Sequence, residues 1–387
     1  MVVFAGCGGS SSPPAAPAAV AAANVLAISV NSGPARTVNL AFASVIVCQP
    51  GNAANCQTID NVIVDTGSTG LRIMASVLAA TLALPQQNDA GGNPAVTCAQ
   101  FADGFSWGPV KVADVKLAGE QVNALPVQVI GDPAFATIPT NCSNTGPAKN
   151  SVQTRGANGI LGIGPFRQDC GSACVQSGNP GIYYACPAAG CQPVAKPLAE
   201  QLQNPVAMFA GDNNGIIIEL PAVPPPGAAS VAGSLIFGIG TQANNALGAA
   251  SVIALTGSGR FTTLYNNRNL DRSFIDSGSN AFFFQDAAIP ACASAPVAGF
   301  YCPLSTLSLA AVMQGANGTN VSVNFNVANT LSLVTNNPGF AAFSNLAGPL
   351  GLVRSFDWGL PFFFGRRVFV AIEGANTTGG PGPYVAF

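Results

Sequence analysis

The sequence predicts an all-β protein made of two matching halves, and three observations lead to that expectation. Charged residues are only 8% of the 387 positions, while Gly (44) and Pro (30) separate many short β-branched runs, the pattern of a strand-rich chain with frequent turns. Val62-Ile63-Val64-Asp65-Thr66-Gly67-Ser68 and Ser273-Phe274-Ile275-Asp276-Ser277-Gly278-Ser279 repeat one text: an apolar run, Asp, a hydroxyl residue, Gly and Ser. An aspartate at the end of a buried strand is costly unless hydrogen bonds hold its charge. Meeting that cost twice, with the same neighbours, suggests two halves that face each other. Third, eleven cysteines in a chain so poor in charge point to an oxidising compartment.

Taken in order, residues 1–24 read as a Ser/Pro/Ala tether. Strands are expected at 25–30 and 37–47, with a turn at Asn31-Ser32-Gly33-Pro34 between them. Cys48 and Cys56 bracket a short Gln-Pro-Gly-Asn loop and are expected to bridge it. The first Asp segment follows. Phe101-Ala102-Asp103-Gly104-Phe105 has the Asp-Gly signature of a hairpin tip, with strands expected at 110–115 and 122–130. Asn158-Gly159-Ile160-Leu161-Gly162 is apolar and Gly-spaced, so one backbone can pass close to another.

Cys170, Cys174, Cys186 and Cys191 lie in a Gly/Pro-rich insertion. They could hold zinc, but their spacing is looser than a paired C-x₂-C, and two disulfides are expected instead, with Cys98–Cys142 as a further bridge. Residues 197–202 are expected to form a short helix. After a Pro-rich turn at 221–227 the plan repeats, with a strand at 234–238, the second Asp segment and a loop closed by Cys292–Cys302. The Phe282-Phe283-Phe284 and Phe362-Phe363-Phe364 runs are expected in the core, and the apolar end of the chain is expected as paired core strands.

Composition also excludes functions. There is no histidine, so Ser-His-Asp and Cys-His nucleophile systems and His-ligated metals are ruled out. A net charge of -2 without a basic run argues against nucleic acid. No uninterrupted apolar stretch is long enough to suggest a membrane-spanning helix.

From about residue 25 to the end the chain resembles the pepsin-like aspartic peptidases. Asp65-Thr66-Gly67-Ser68 and Asp276-Ser277-Gly278-Ser279 match that family's two catalytic motifs. Phe101, Asp103 and Gly104 look like its substrate-covering flap, and Asn158-Gly159-Ile160-Leu161-Gly162 is similar to the segment behind its first catalytic loop. Similar text is known in bacterial pepsin-like lipoproteins with a domain of unknown function. The resemblance implies a bilobal all-β fold, with an N-terminal lobe over 25–214, a C-terminal lobe over 215–387 and a cleft between two pseudo-symmetric lobes. Three departures stand out. Phe101 occupies the place of the flap tyrosine, Arg72 stands where many members have tryptophan, and the second-lobe counterpart of Ile-Leu-Gly is blurred into Trp358-Gly359-Leu360-Pro361. Trp107 could supply a different ring.

The activity implied is endopeptidase cleavage, with Asp65 and Asp276 activating a water and no metal or cofactor required. Two close carboxylates cannot both ionise cheaply, so their proton affinities split. Gly67 and Gly278 leave room for the approach, Ser68 and Ser279 can donate to the outer oxygens, and Thr66 and Ser277 can reach across to lock the pair. Activity is expected in acid. The alternative is a catalytically silent envelope protein that binds a peptide or glycan in the same cleft. Phe4-Ala5-Gly6-Cys7 resembles a lipoprotein cleavage site. Too little sequence precedes Cys7 for a full signal, so either the true start lies further upstream, which is the expectation, or the match is accidental. Lipidation of Cys7 would place a monomer in the bacterial envelope, at the outer membrane, touching membrane only through the lipid.

Overall fold

The computed structural model describes residues 22–293 and 295–387. Strands make up 41% and helices 10%, so the class is all-β, and the sheets are barrel-like. One sheet has fifteen strands and another seven. The first strand, Val25–Val30, pairs antiparallel with both Ala41–Cys48 and Val231–Phe237, so it joins sequence-distant parts of the large sheet.

Each aspartate sits on the same three-strand arrangement. In the first half, Cys56–Asp65 runs parallel to Gly159–Ile163, pairing Ile63 with Ile160, Val64 with Leu161 and Asp65 with Gly162. The strand after the motif, Thr69–Met74, lies antiparallel on the other side of Gly159–Ile163. In the second half, Arg268–Ile275 runs parallel to Phe356–Trp358, pairing Phe274 with Asp357 and Ile275 with Trp358. Phe282–Phe284 then lies antiparallel to Phe356–Trp358.

That register corrects one expectation. The counterpart of Ile160-Leu161-Gly162 is Asp357-Trp358-Gly359, one residue earlier than the sequence suggested, and it puts an acid where the first half has Ile160. Sequence alone could not find this register, because apolar text continues on through Leu360 and Pro361.

The strand cores follow from alternation. Phe282, Phe284, Phe356 and Trp358 point into the second half, where the Phe284 and Phe356 rings stack at 4.6 Å and Phe356 and Trp358 at 4.2 Å. Each fully buried ring of this size contributes roughly 2–3 kcal/mol of burial. Phe362 and Phe363 are fully buried, and Arg366–Ala371 pairs with Tyr384–Ala386, so the chain end is core strand as expected.

Five disulfides form: Cys48–Cys56, Cys98–Cys142, Cys170–Cys174, Cys186–Cys191 and Cys292–Cys302. Among the described residues no group of acids and cysteines could hold a metal. The helix expected at 197–202 is only a 3-10 turn, Leu198–Glu200, because Gln201 is already extended. A seven-residue helix, Thr330–Asn336, escaped the sequence reading although Asn329 caps it by accepting from Ser332 N at 3.0 Å. No helix among the described residues is long and apolar enough to cross a membrane. Cys7 and most of the tether lie outside the described residues.

Candidate active site

Asp65 ends its strand, and Asp276 follows the last residue of the strand Arg268–Ile275. The two motifs then make the same local bonds. Gly67 N–H donates to Asp65 Oδ1 at 2.8 Å, and Gly278 N–H donates to Asp276 Oδ1 at 2.8 Å. The Ser68 hydroxyl donates to Asp65 Oδ2, and that of Ser279 to Asp276 Oδ2 at 2.8 Å. Each carboxyl is thus held by one amide and one hydroxyl from its own turn.

The two turns also grip each other. Thr66 N–H donates to Ser277 Oγ at 3.1 Å, Ser277 N–H donates to Thr66 Oγ1 at 2.9 Å, and Ser277 Oγ donates to the Val64 carbonyl at 2.7 Å. Thr66 and Ser277 are buried, so these bonds are shielded from water. A Cβ on Gly67 would lie 2.5 Å from Asp276 Cγ, and one on Gly278 would lie 2.7 Å from Asp65 Oδ1. Both positions therefore require glycine for the carboxyls to approach.

The two carboxyls lie within reach of one hydrogen bond, which needs a proton on one of them. Burial, the Asp65 charge beside it and that shared bond push Asp276 up to about 8, against the opposing pull of Ser279 and the Gly278 amide. At neutral pH Asp276 therefore keeps its proton, and a protonated carboxyl beside a second carboxyl is an arrangement able to take a proton from a water and return one to a carbonyl oxygen.

Asp65, Asp276, Gly278 and Ser279 line a cleft of about 480 Å³, together with Phe101 and Asp103 of the hairpin. Thr66, Gly67 and Ser68 line a smaller hollow on the other side of the turn. Gly104, expected at the flap, does not line the cleft; it is buried and pairs with Phe101 at the hairpin end. A second hollow of about 580 Å³ shares Thr37 and Asn280 with the cleft and extends the groove.

Several cleft residues escaped the sequence reading. Arg155 lies over the Phe101 ring at 4.4 Å, donates to Ser106 Oγ at 2.9 Å and pairs with Asp103 at 3.6 Å. Lys149 pairs with Asp103 at 2.9 Å. The flap ring that lacks a hydroxyl is thus covered by a guanidinium. Trp107 does not substitute for it: the indole is buried behind the hairpin, donating to the Phe135 carbonyl at 2.8 Å and meeting Tyr184 edge-on. Arg72, in place of a tryptophan, is buried and paired with Asp169 at 3.2 Å. Burial pushes Asp169 up to about 6, against the pull of Arg72 and of the Tyr183 hydroxyl that donates to it at 2.5 Å. Asp357 is 4% exposed and lines the cleft. No local motif marks any of these positions, because each partner comes from a distant loop or strand.

The family model described as "Protein of unknown function (DUF3443)" matches residues 20–387. No curated protein matches the chain.

Proposed function

The chain belongs to the DUF3443 family, and we propose that it is an aspartic endopeptidase of the pepsin-like, bilobal type, with the cleft running between its two lobes. The observation that carries this reading is the facing pair of carboxyls, Asp65 and Asp276, each set by its own glycine amide and serine hydroxyl, with Asp276 pushed up to hold a proton. In this reading a peptide lies extended under the hairpin 101–105. Asp65, as the ionised member, takes a proton from a water placed between the carboxyls. That water's oxygen bonds to the scissile carbonyl carbon as Asp276 gives its proton to the carbonyl oxygen. The tetrahedral product then collapses, breaking the C–N bond, with a proton passing to the leaving amine. The reciprocal Thr66–Ser277 bonds keep the two carboxyls in fixed relation through these steps.

The test is incubation of the purified protein with a mixed peptide library from acid to neutral pH. Cleavage by the parent that vanishes in Asp65→Asn supports the proposal; an undigested library sinks it. One observation favours a second reading, a silent protein that binds a peptide or glycan. Arg155, Lys149 and Asp103 tie down the flap, and Phe101 lacks the flap hydroxyl. Saturable peptide or glycan binding without cleavage would select it.

Under either reading the protein is proposed to be an envelope lipoprotein anchored through Cys7. Expressed with an upstream signal, it should enter the detergent phase, and Cys7→Ser should release it. Equal partitioning of the two would remove the anchor.

A further inference from the structure

Ile160 and Asp357 occupy equivalent positions on the two sides of the dyad. Ile160 pairs with the residue two before Asp65, and Asp357 with the residue two before Asp276. Both line the cleft. The two strands therefore present unlike walls: one an apolar side chain, the other a carboxyl.

That carboxyl is poorly compensated by the described residues around it. Phe356 and Trp358 on either side of it point into the aromatic core, so alternation turns Asp357 to the opposite face, towards the cleft. Its cross-strand neighbours are the rings of Phe274 and Phe283. Its Oδ1 is buried with no hydrogen-bond partner among the described residues. The charged groups that act on it are Asp276 and Asp65, of its own sign, and Arg260, whose guanidinium lies over Phe274 at 4.4 Å. Ser279 is also within hydrogen-bonding reach, but its hydroxyl proton goes to Asp276. Burial beside these like charges raises Asp357 well above the usual carboxylate range, so its neutral form is favoured. An isoleucine would fill this wall without leaving a polar atom unpaired, as Ile160 does on the other side. A buried oxygen without a partner, facing a ligand cleft, is a binding group.

We propose that Asp357 is a specificity-determining residue whose unpaired Oδ1 accepts a hydrogen bond from the substrate, so that the cleft takes a peptide with an apolar side chain against Ile160 and a donor-bearing side chain, an amide or ammonium, against Asp357. The inference rests on the endopeptidase reading for its substrate class, but its contact can be measured without turnover.

The experiment uses blocked peptides identical except at the two residues flanking the scissile bond: Leu–Gln, Leu–Lys and Leu–Leu. Each is also made with a methyleneamine in place of the scissile amide, so that binding can be followed by calorimetry. The parent should favour Gln or Lys over Leu by about ten-fold in kcat/KM and in affinity, since a site built to hydrogen-bond a side chain discriminates against one that lacks the donor. Asp357→Ile should erase or reverse that preference. Asp357→Asn, nearly the same shape and still an acceptor, should keep the preference for Gln, and it remains a valid comparison if the isoleucine variant does not fold. Equal handling of the three peptides by the parent, or a preference that survives in a folded Asp357→Ile, overturns the proposal. The analogues separate the two readings. A binding preference without cleavage leaves this inference standing and removes the peptidase. Cleavage without preference does the reverse, and peptides that are neither bound nor cleaved remove both.

Discussion

Asp276 should make the stability of this protein fall as pH rises. Its folded-state value is about 8 against an ordinary 3.8, so between about pH 4 and 8 the folded chain holds a proton that the unfolded chain has released. More protons bound in the folded state means that stability declines with increasing pH. Each pH unit in that window is worth about 1.4 kcal/mol, for a ceiling of roughly 6 kcal/mol across it. Water entering the open cleft screens the group and reduces this to about 2–3 kcal/mol. Asp276→Asn places an amide that does not titrate at the same position. Thermal melts from pH 4 to 8 should therefore show the variant close to the parent in acid and increasingly more stable than it towards pH 8. Asp169, raised to about 6, slopes the same way in both proteins and cancels in the difference, whereas Asp357, whose proton Asp276 helps to hold, adds to the difference in the same sense. Parallel curves would mean that Asp276 does not keep its proton to neutral pH, and the shared-proton dyad would be wrong.

Further expectations can be checked in the same preparations. Peptide cleavage, measured against pH, should persist to neutral and fall off near pH 8 as the shared proton leaves, higher than the acid range expected from the sequence, because burial holds that proton. Ser277→Ala deprives the buried Thr66 amide and Val64 carbonyl of partners, and chemical denaturation should show a loss of about 2–3 kcal/mol. Arg72→Leu leaves Asp169 buried without its cation, and the loss should reach about 3–5 kcal/mol at pH 8 and shrink towards pH 6, because without Arg72 Asp169 takes up its proton above the parent's value of about 6. Peptide mapping without reduction should recover the five bridges, and free thiols at Cys170 and Cys174 would contradict that pair.

What the sequence made legible was local in character. The duplicated Asp turns, the hairpin tip at Asp103 and the closely spaced cysteine pairs each declare themselves within a few residues. What it concealed depends on register and on distant partners. Asp357 reads as an ordinary acid in an aromatic stretch until its strand is set beside Phe274. Arg155 becomes a cleft residue only because residues 147–155 fold back onto the hairpin that carries Phe101. Trp107 follows the hairpin tip closely in sequence, but strand alternation turns it inward to Tyr184.

The fastening of that hairpin has a kinetic consequence. Phe105 N–H donates to the Pro147 carbonyl at 3.1 Å, and Lys149 N–H donates back to Phe105 at 2.8 Å. At the tip, Asp103 is 58% exposed where it meets Lys149 and Arg155. The two walls of the cleft are separately stitched together by Asn39, which bonds to Asn280 and Phe343. On the endopeptidase proposal, entry of a peptide begins at the tip, where Asp103 is exposed to solvent and its ion pairs weaken with salt. The paired backbone behind them acts as a stop that limits how far the hairpin lifts. Capture of a peptide should accelerate with ionic strength while the spacing of the Asp65 and Asp276 carboxyls stays constant.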